Sequence, residues 1–298
     1  MKRKEFGELV AALRQDVGWT QFQLAEHAEL DWAVISQIER GVKKYFEPHL
    51  LFQLANAFQF TTLERHEFLL AASGLDQKEM VRQPSAATLT DAFNVGKTLE
   101  KMIELTGQVR LPAFLWDVYG DIVAANNIIT SFFRVPLEYV EIANQIPGGY
   151  NMCRFSFGKD LLARSQVIEN WDQFALNAMR AFRENSLRYR AQPYFKYLMK
   201  LFRDQNEYPL FDRYWKLVSS IEQDKEVNTD HYAYHHREFG DIKYISSSFA
   251  SITSFGELFL VHYLPLDGRT SQIFEQLAQS AGQGATTFAP WPEKTYPR

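Results

Sequence analysis

Thr20-Gln21-Phe22-Gln23-Leu24-Ala25-Glu26-His27 and, three residues on, Asp31-Trp32-Ala33-Val34-Ile35-Ser36-Gln37-Ile38-Glu39-Arg40-Gly41 carry the reading on which the fold turns. Leu24 and Ala25 in the first stretch and Ile35 and Ile38 in the second fall at helical spacing. Thr20 and Asp31 stand where a side-chain oxygen can cap a helix start, and Gly41 where a left-handed residue ends one. Two short helices so joined meet at a steep angle. Ala25 is small enough for close approach, and the second helix turns a polar edge outward.

Working outward, the same periodicity gives five helical blocks: Lys4–Asp16, Gln21–Ala28, Trp32–Arg40, Pro48–Phe58 and Thr62–Ala72. Gly18 closes the first, and Pro48 sits where a first-turn proline is tolerated. An all-α unit over residues 1–75 is expected. Polar residues from Ser73 to Thr90 read as a linker, and Ala92–Leu105 as an amphipathic helix presenting Phe93, Leu99, Met102 and Ile103; together they form a connector over 76–107.

The period then changes. Leu111–Val118 and Ile122–Ala125 read as two strands around Tyr119-Gly120-Asp121, and Asp160–Ile221 reads as helices broken at Pro193 and Pro209. His231–Glu238, Ile242–Thr253 and Leu258–Leu264 form a strand meander, followed by a closing helix at Arg269–Ala278. This predicts an α+β domain over 108–280 with a five-stranded antiparallel sheet. Residues 281–298, rich in Gly and Pro, read as a flexible tail.

Composition narrows the function classes. The 298 residues are 46% hydrophobic and 23% charged, which excludes a mainly disordered chain and leaves room for two domains. A net charge of −4 gives no global field for nucleic acid, so any such contact must be local. Cys153 is the only cysteine, too few for a disulfide framework, and a reducing cytoplasm is expected. Glu5, Glu8, Arg14 and Asp16 interrupt any apolar leader, and no run is long enough for a membrane span.

The segment Thr20 to Gly41 resembles the helix-turn-helix of Xre-type, phage-repressor-like transcription regulators. The resemblance implies that Gln21 steadies the DNA backbone, that Trp32, Ala33, Ser36 and Gln37 meet base edges, with Gln37 the foremost reader, and that Arg40, Lys43 and Lys44 contact phosphate. Trp32 reads equally well as a partly buried wedge. The unit is itself acidic, with eight cations against ten acids, and Glu29 and Leu30 replace the small turn residues the family prefers.

Further on, Leu111-Pro112-Ala113-Phe114-Leu115-Trp116-Asp117, Ile122-Val123-Ala124-Ala125-Asn126-Asn127, Trp171, Phe211-Asp212-Arg213-Tyr214-Trp215 and His235-His236-Arg237 with Gly240-Asp241-Ile242 follow in an order similar to the MmyB-like regulators. Their second half is a PAS-like ligand-binding domain. The resemblance implies a sensor of a small apolar molecule, a fatty acid or acyl compound, with operator DNA as the partner and no obligatory cofactor; a single head with this charge balance should bind weakly, so a homodimer on a palindrome is expected.

A sheet cup with helices across it can leave a pocket. Phe114, Trp116, Phe174, Phe182, Phe195, Phe202, Trp215, Phe249 and Phe259 are candidates to line it, or else to fill a core. Arg154, Arg183, Arg188, His235 and His236 are candidates for a head group. A metal reading of His231, His235, His236 and His262 lacks a completing carboxylate or cysteine, and a haem reading would need an axial histidine or Cys153 in the pocket. No phosphate loop, nucleophile elbow or zinc-protease motif points to an enzyme. The other reading is a lipid-binding or protein-interaction module that does not touch DNA.

Overall fold

Five helices pack around one apolar centre in the computed structural model, which describes residues 1–73, 95–134, 141, 143, 145–146, 148–159, 171–220, 231–253 and 256–297, the side chains of 95, 220, 231, 249–253 and 256 excepted. They are α1 (Arg3–Asp16), α2 (Gln21–His27), α3 (Trp32–Glu39), α4 (Pro48–Ala57) and α5 (Thr62–Ala72). The capping residues act as expected: Thr20 Oγ1 accepts from the Gln23 amide at 3.2 Å, and Asp31 Oδ1 from the Ala33 amide at 2.7 Å. Phe6, Leu9, Leu13, Leu24, Ile35, Ile38, Leu54 and Phe68 are buried in a common core, each large side chain contributing about 1.5–3 kcal/mol by leaving water. Gly7 permits the α1–α3 contact, since a Cβ there would lie 2.3 Å from the Ile38 carbonyl oxygen.

The second domain is a sheet with helices on both faces. A helix, α6 (Val95–Gln108), leads into β1 (Ala113–Asp117), β2 (Ile122–Asn126), α7 (Asn127–Phe133) and α8 (Met152–Phe157). Then come α9 (Trp171–Ser186), a single 3-10 turn at Leu187–Tyr189, α10 (Pro193–Phe202) and α11 (Phe211–Ser220). The chain returns to the sheet with β3 (His231–His236), β4 (Gly240–Thr253) and β5 (Gly256–Pro265), and ends in α12 (Gly268–Ala281) and β6 (Ala285–Thr287). Phe93 and the start of the expected Ala92–Leu105 helix, residues 160–170, and residue 221 of the helical section lie outside the described residues.

The sheet has six strands, not five, in the order β3-β4-β5-β1-β2-β6, with antiparallel pairing throughout. The sixth comes from the segment read as a tail. It pairs with β2 through Ala124↔Thr287 and Asn126↔Ala285, and Trp291 beyond it is buried with Leu115, Val123 and Leu258. Leu99, Met102 and Ile103 of α6 close the same face. A Gly-rich stretch reads as loop because Gly lacks a side-chain signature, yet Gly107 and Gly284 are what let α6 and β6 touch: a Cβ on Gly107 would lie 2.9 Å from the Gly284 carbonyl carbon.

Alternation along β1 sorts the two faces. Leu115 faces α6, whereas Phe114 and Trp116 face a cluster with Phe259, Val261, Tyr263, Phe132 of α7 and Phe274 of α12. A register shift between Leu115 and Trp116 against β2 bulges the sheet beside Trp116.

Candidate functional site

Three places concentrate chemistry. The first is the outer face of α3. Glu39, almost fully buried, accepts from Arg14 Nε at 2.6 Å and from Gln21 Nε2 at 2.7 Å, which locks α1, α2 and α3 to one another. Gln21, expected at a phosphate, is thus bonded inside the domain. Trp32 is 53% exposed. Ala33, Gln37, Arg40 and Lys44 are also exposed, with Ser36 and Lys43 half-buried. Gln37, Arg40, Lys43, Lys44 and Tyr45 line a cleft of about 570 Å3 at the end of α3. Tyr45, 81% exposed and next to Lys44, carries no sequence signal that would single it out. Glu29, in the turn between α2 and α3, adopts φ 54°, a left-handed conformation that costs a residue with a Cβ.

The second is the aromatic sheet face. Of the nine aromatic candidates the structure brings Phe114, Trp116 and Phe259 together, with Phe174 packed against their cluster. Trp116 meets Phe114 and Phe259 edge to face at 6.1 and 6.3 Å between centroids. Phe182, Phe195, Phe202 and Trp215 belong elsewhere, in a helical core built by α8, α9, α10 and α11. Phe182 and Phe195 stack at 5.9 Å there, and Phe211 stacks on Trp215 at the same distance. Phe249 pairs in register with Leu260, and its side chain lies outside the described residues. The face also holds Tyr232, Tyr234, Tyr244 and Tyr263, absent from the sequence-based candidates although their alternation along β3 to β5 could have found them.

None of the candidate head-group cations is placed on that face with a free charge. His235 is exposed and bonded to Asp241 at 2.9 Å. His236 accepts from the Glu238 and Phe239 amides through Nδ1 and so donates from Nε2 to the Phe132 carbonyl at 2.9 Å; burial lowers its pKa, and it is neutral. Arg154, half-buried on α8, has partners of its own. Arg183 and Arg188 are bound to acids of the N-terminal domain.

The third is a pair of buried ion triads, neither foreseen. Glu64 of α5 is fully buried and accepts from Arg183 Nε and Nη2, both at 3.1 Å, and from Arg190 Nη2 at 2.8 Å. Burial alone would raise the Glu64 carboxyl, but Arg183 and Arg190 hold it below its ordinary value. Around this triad Leu187 inserts into the N-terminal core, Arg188 bridges Glu67 to Glu257 of β5, and Thr61 Oγ1 donates to Glu184 at 2.7 Å. Burial, reinforced by the Glu64 charge, pushes Glu184 up to about 7. The α9 end and the 3-10 turn therefore join the two domains.

The other triad reverses the charges. Lys294 is buried between Asp117 and Asp121, with Asp121 Oδ2 2.9 Å from its Nζ and also accepting from Tyr194 Oη at 2.7 Å. Burial and the neighbouring Asp121 push Asp117 up to about 6 against the pull of Lys294, whose own pKa the two carboxylates raise in spite of its burial. A cavity of about 600 Å3 lies beside it, lined by Asp121, Tyr150, Tyr194, Phe288, Lys294 and Tyr296.

With this geometry in hand, residues 95–277 match the family model of the MmyB-like transcription regulator ligand binding domain. The chain belongs to this family. Its MmyB-like domain makes it a transcription regulator with a ligand-sensing half, and the match runs from α6 to within α12. Among curated proteins, none matches the chain. Among the described residues, no helix is long and apolar enough to cross a membrane.

Proposed function

We propose that α1–α5 form an Xre-type helix-turn-helix head that binds operator DNA, and that the MmyB-like domain senses a small apolar molecule of the fatty-acid or acyl class. The observation that carries the reading is the Arg14–Glu39–Gln21 lock. It holds α3 so that Trp32, Ala33 and Gln37 stand clear of the core while Arg40 and Lys44 flank them. A helix so displayed fits a major groove, Gln37 reading a base edge and the cations contacting phosphate. A lone acidic head binds weakly, so the working form is a homodimer on a palindromic site, in a cytoplasmic setting and with no catalytic step. Each buried acyl methylene would add about 0.8 kcal/mol to ligand affinity.

Selection of operator sequences from random duplexes, followed by mobility shift at several salt concentrations, tests this. Gln37→Ala abolishes sequence preference, and removing the Arg40, Lys43 and Lys44 charges lowers the salt slope by about one for each phosphate left without its cation. Binding indifferent to both changes favours a protein-interaction head, a reading to which the exposed Phe22 and Tyr45 side chains give some support.

A further inference from the structure

Helix α9 touches both the aromatic sheet face and the head. Phe174 and Ala181 lie against the ring cluster of the face, Phe174 meeting Tyr232 edge to face at 5.5 Å, and Asn177 Nδ2 donates to Tyr232 Oη at 3.3 Å. The last turn of the same helix belongs to the head: Arg183 is bonded to Glu64 and Glu184 to Thr61, and Leu187 of the 3-10 turn is wholly buried in the head's core. Helix α6, by contrast, packs on the opposite face of the sheet.

The two attachments are unequal. Parting the head from α9 would strand Glu64, Arg183 and Arg190 away from water and empty the seat of Leu187. Parting α9 from the sheet opens an apolar contact, a neutral hydrogen bond and the ion pair between Arg188 and Glu257. That pair stands at the rim of the face: Glu257 lies two residues before Phe259 on β5, on the same side of the strand, and Phe259 is in register with Trp116 of β1. Arg188 Nε also pairs with Glu67 of α5 at 2.8 Å, so one guanidinium is shared between the head and the sheet. Burial, reinforced by the Glu67 charge, holds the Glu257 carboxyl above its ordinary value against the pull of Arg188.

We propose that the head and α9 move as one body and that the Arg188–Glu257 pair is the latch holding that body on the sheet. An apolar ligand entering between α9 and the rings lifts α9, frees Glu257 from Arg188 and turns the head with it. The proposal rests on the apolar-ligand reading above and adds the route by which an occupied sensor reaches the head. Ligand and latch favour different arrangements of α9, so weakening one strengthens the other by linkage.

Titration calorimetry with dodecanoate, kept below its micelle concentration, tests it on the full chain and on Glu257→Gln and Glu67→Gln. The two variants remove the same charge from opposite sides of Arg188, and only Glu257→Gln opens the latch. Dodecanoate binds Glu257→Gln about 5-fold more tightly than the unaltered chain, because the latch no longer opposes it, and binds Glu67→Gln within about 2-fold. Spin labels read the motion independently of either variant. They are placed at the exposed positions Glu26→Cys in α2 with Gln276→Cys in α12, or Glu26→Cys with Lys216→Cys in α11, a helix that packs on α9; Cys153 is buried and stays unlabelled. Saturating dodecanoate shifts the 26–276 separation by about 2 Å or more and leaves the 26–216 separation fixed. Glu257→Gln binding no more tightly than Glu67→Gln, a 26–276 separation that stays put with ligand bound, or a 26–216 separation that moves overturns the proposal and leaves the apolar-ligand reading standing. If dodecanoate binds none of the three chains, the apolar-ligand reading falls, and the proposal falls with it.

Discussion

The two buried triads are near mirror images. At the domain junction one carboxylate, Glu64, sits between two guanidiniums; at the β6 end of the sheet one ammonium, Lys294, sits between two carboxylates. Each leaves one charge in excess away from water, and the two relieve it differently. Arginine cannot give up its proton, so the junction hands its surplus N–H groups to carbonyls: Arg183 Nη1 to Trp215 O at 2.9 Å, and Arg190 Nη2 to Arg183 O at 3.2 Å. The Lys294 site can instead take up a proton on Asp117, whose pKa of about 6 is within reach of ordinary pH. One triad is rigid to pH and the other adapts, and the difference can be broken by substitution.

The largest effect is expected from Glu64→Gln. It strands two buried guanidiniums, and the loss of about 3–5 kcal/mol falls on the domain junction. Calorimetry should show one transition splitting into two as the head uncouples from the sensor; a single transition at an unchanged midpoint contradicts the rigid-junction account. Lys294→Met comes next, costing about 2–4 kcal/mol at pH 8 and visibly less at pH 5, because Asp117 can neutralise itself. Urea unfolding at the two pH values decides this, and an equal cost at both would remove the adaptive reading.

Glu184 permits a smaller and opposite test. Its carboxyl is raised from 4.5 to about 7, so the folded protein holds a proton that the unfolded chain releases between those values, and stability falls as pH rises through that window. Glu184→Gln should flatten that slope and stabilise the protein by about 1–2 kcal/mol at pH 8, measured by denaturant unfolding across pH 5–8. The smallest effect is at Glu29, where Glu29→Gly relieves the φ of 54° and gains about 0.5 kcal/mol, read from the head's own unfolding.

What the sequence could reveal follows from the range over which each signal acts. Thr20, Asp31, Gly18, Gly41 and Pro48 act on their own turns, and the helices of the head are legible from them. The β1 and β2 strands show as short apolar runs either side of Tyr119-Gly120-Asp121, and the stripe Leu99, Met102 and Ile103 through helical period. Periodicity shows that a helix buries a face but not what the face meets, so Phe182, Phe195, Phe202 and Trp215 read as lining for the cup when they serve a helical core. The triads join residues far apart, Glu64 to Arg183 across 119 positions, and no local pattern announces them. Strand β6 is three residues long, too short for alternation to register.

The Lys294 site carries a consequence for how the chain is made. Asp121 leaves the ribosome 173 residues ahead of Lys294, and at roughly 5–20 residues per second that is on the order of ten seconds or longer. Through that interval the two aspartates stay hydrated or protonated, and the β1–β2 hairpin has no neighbour on its outer side. The nascent sensor is therefore most open to chaperones and to mispairing along β2 until its final strand emerges.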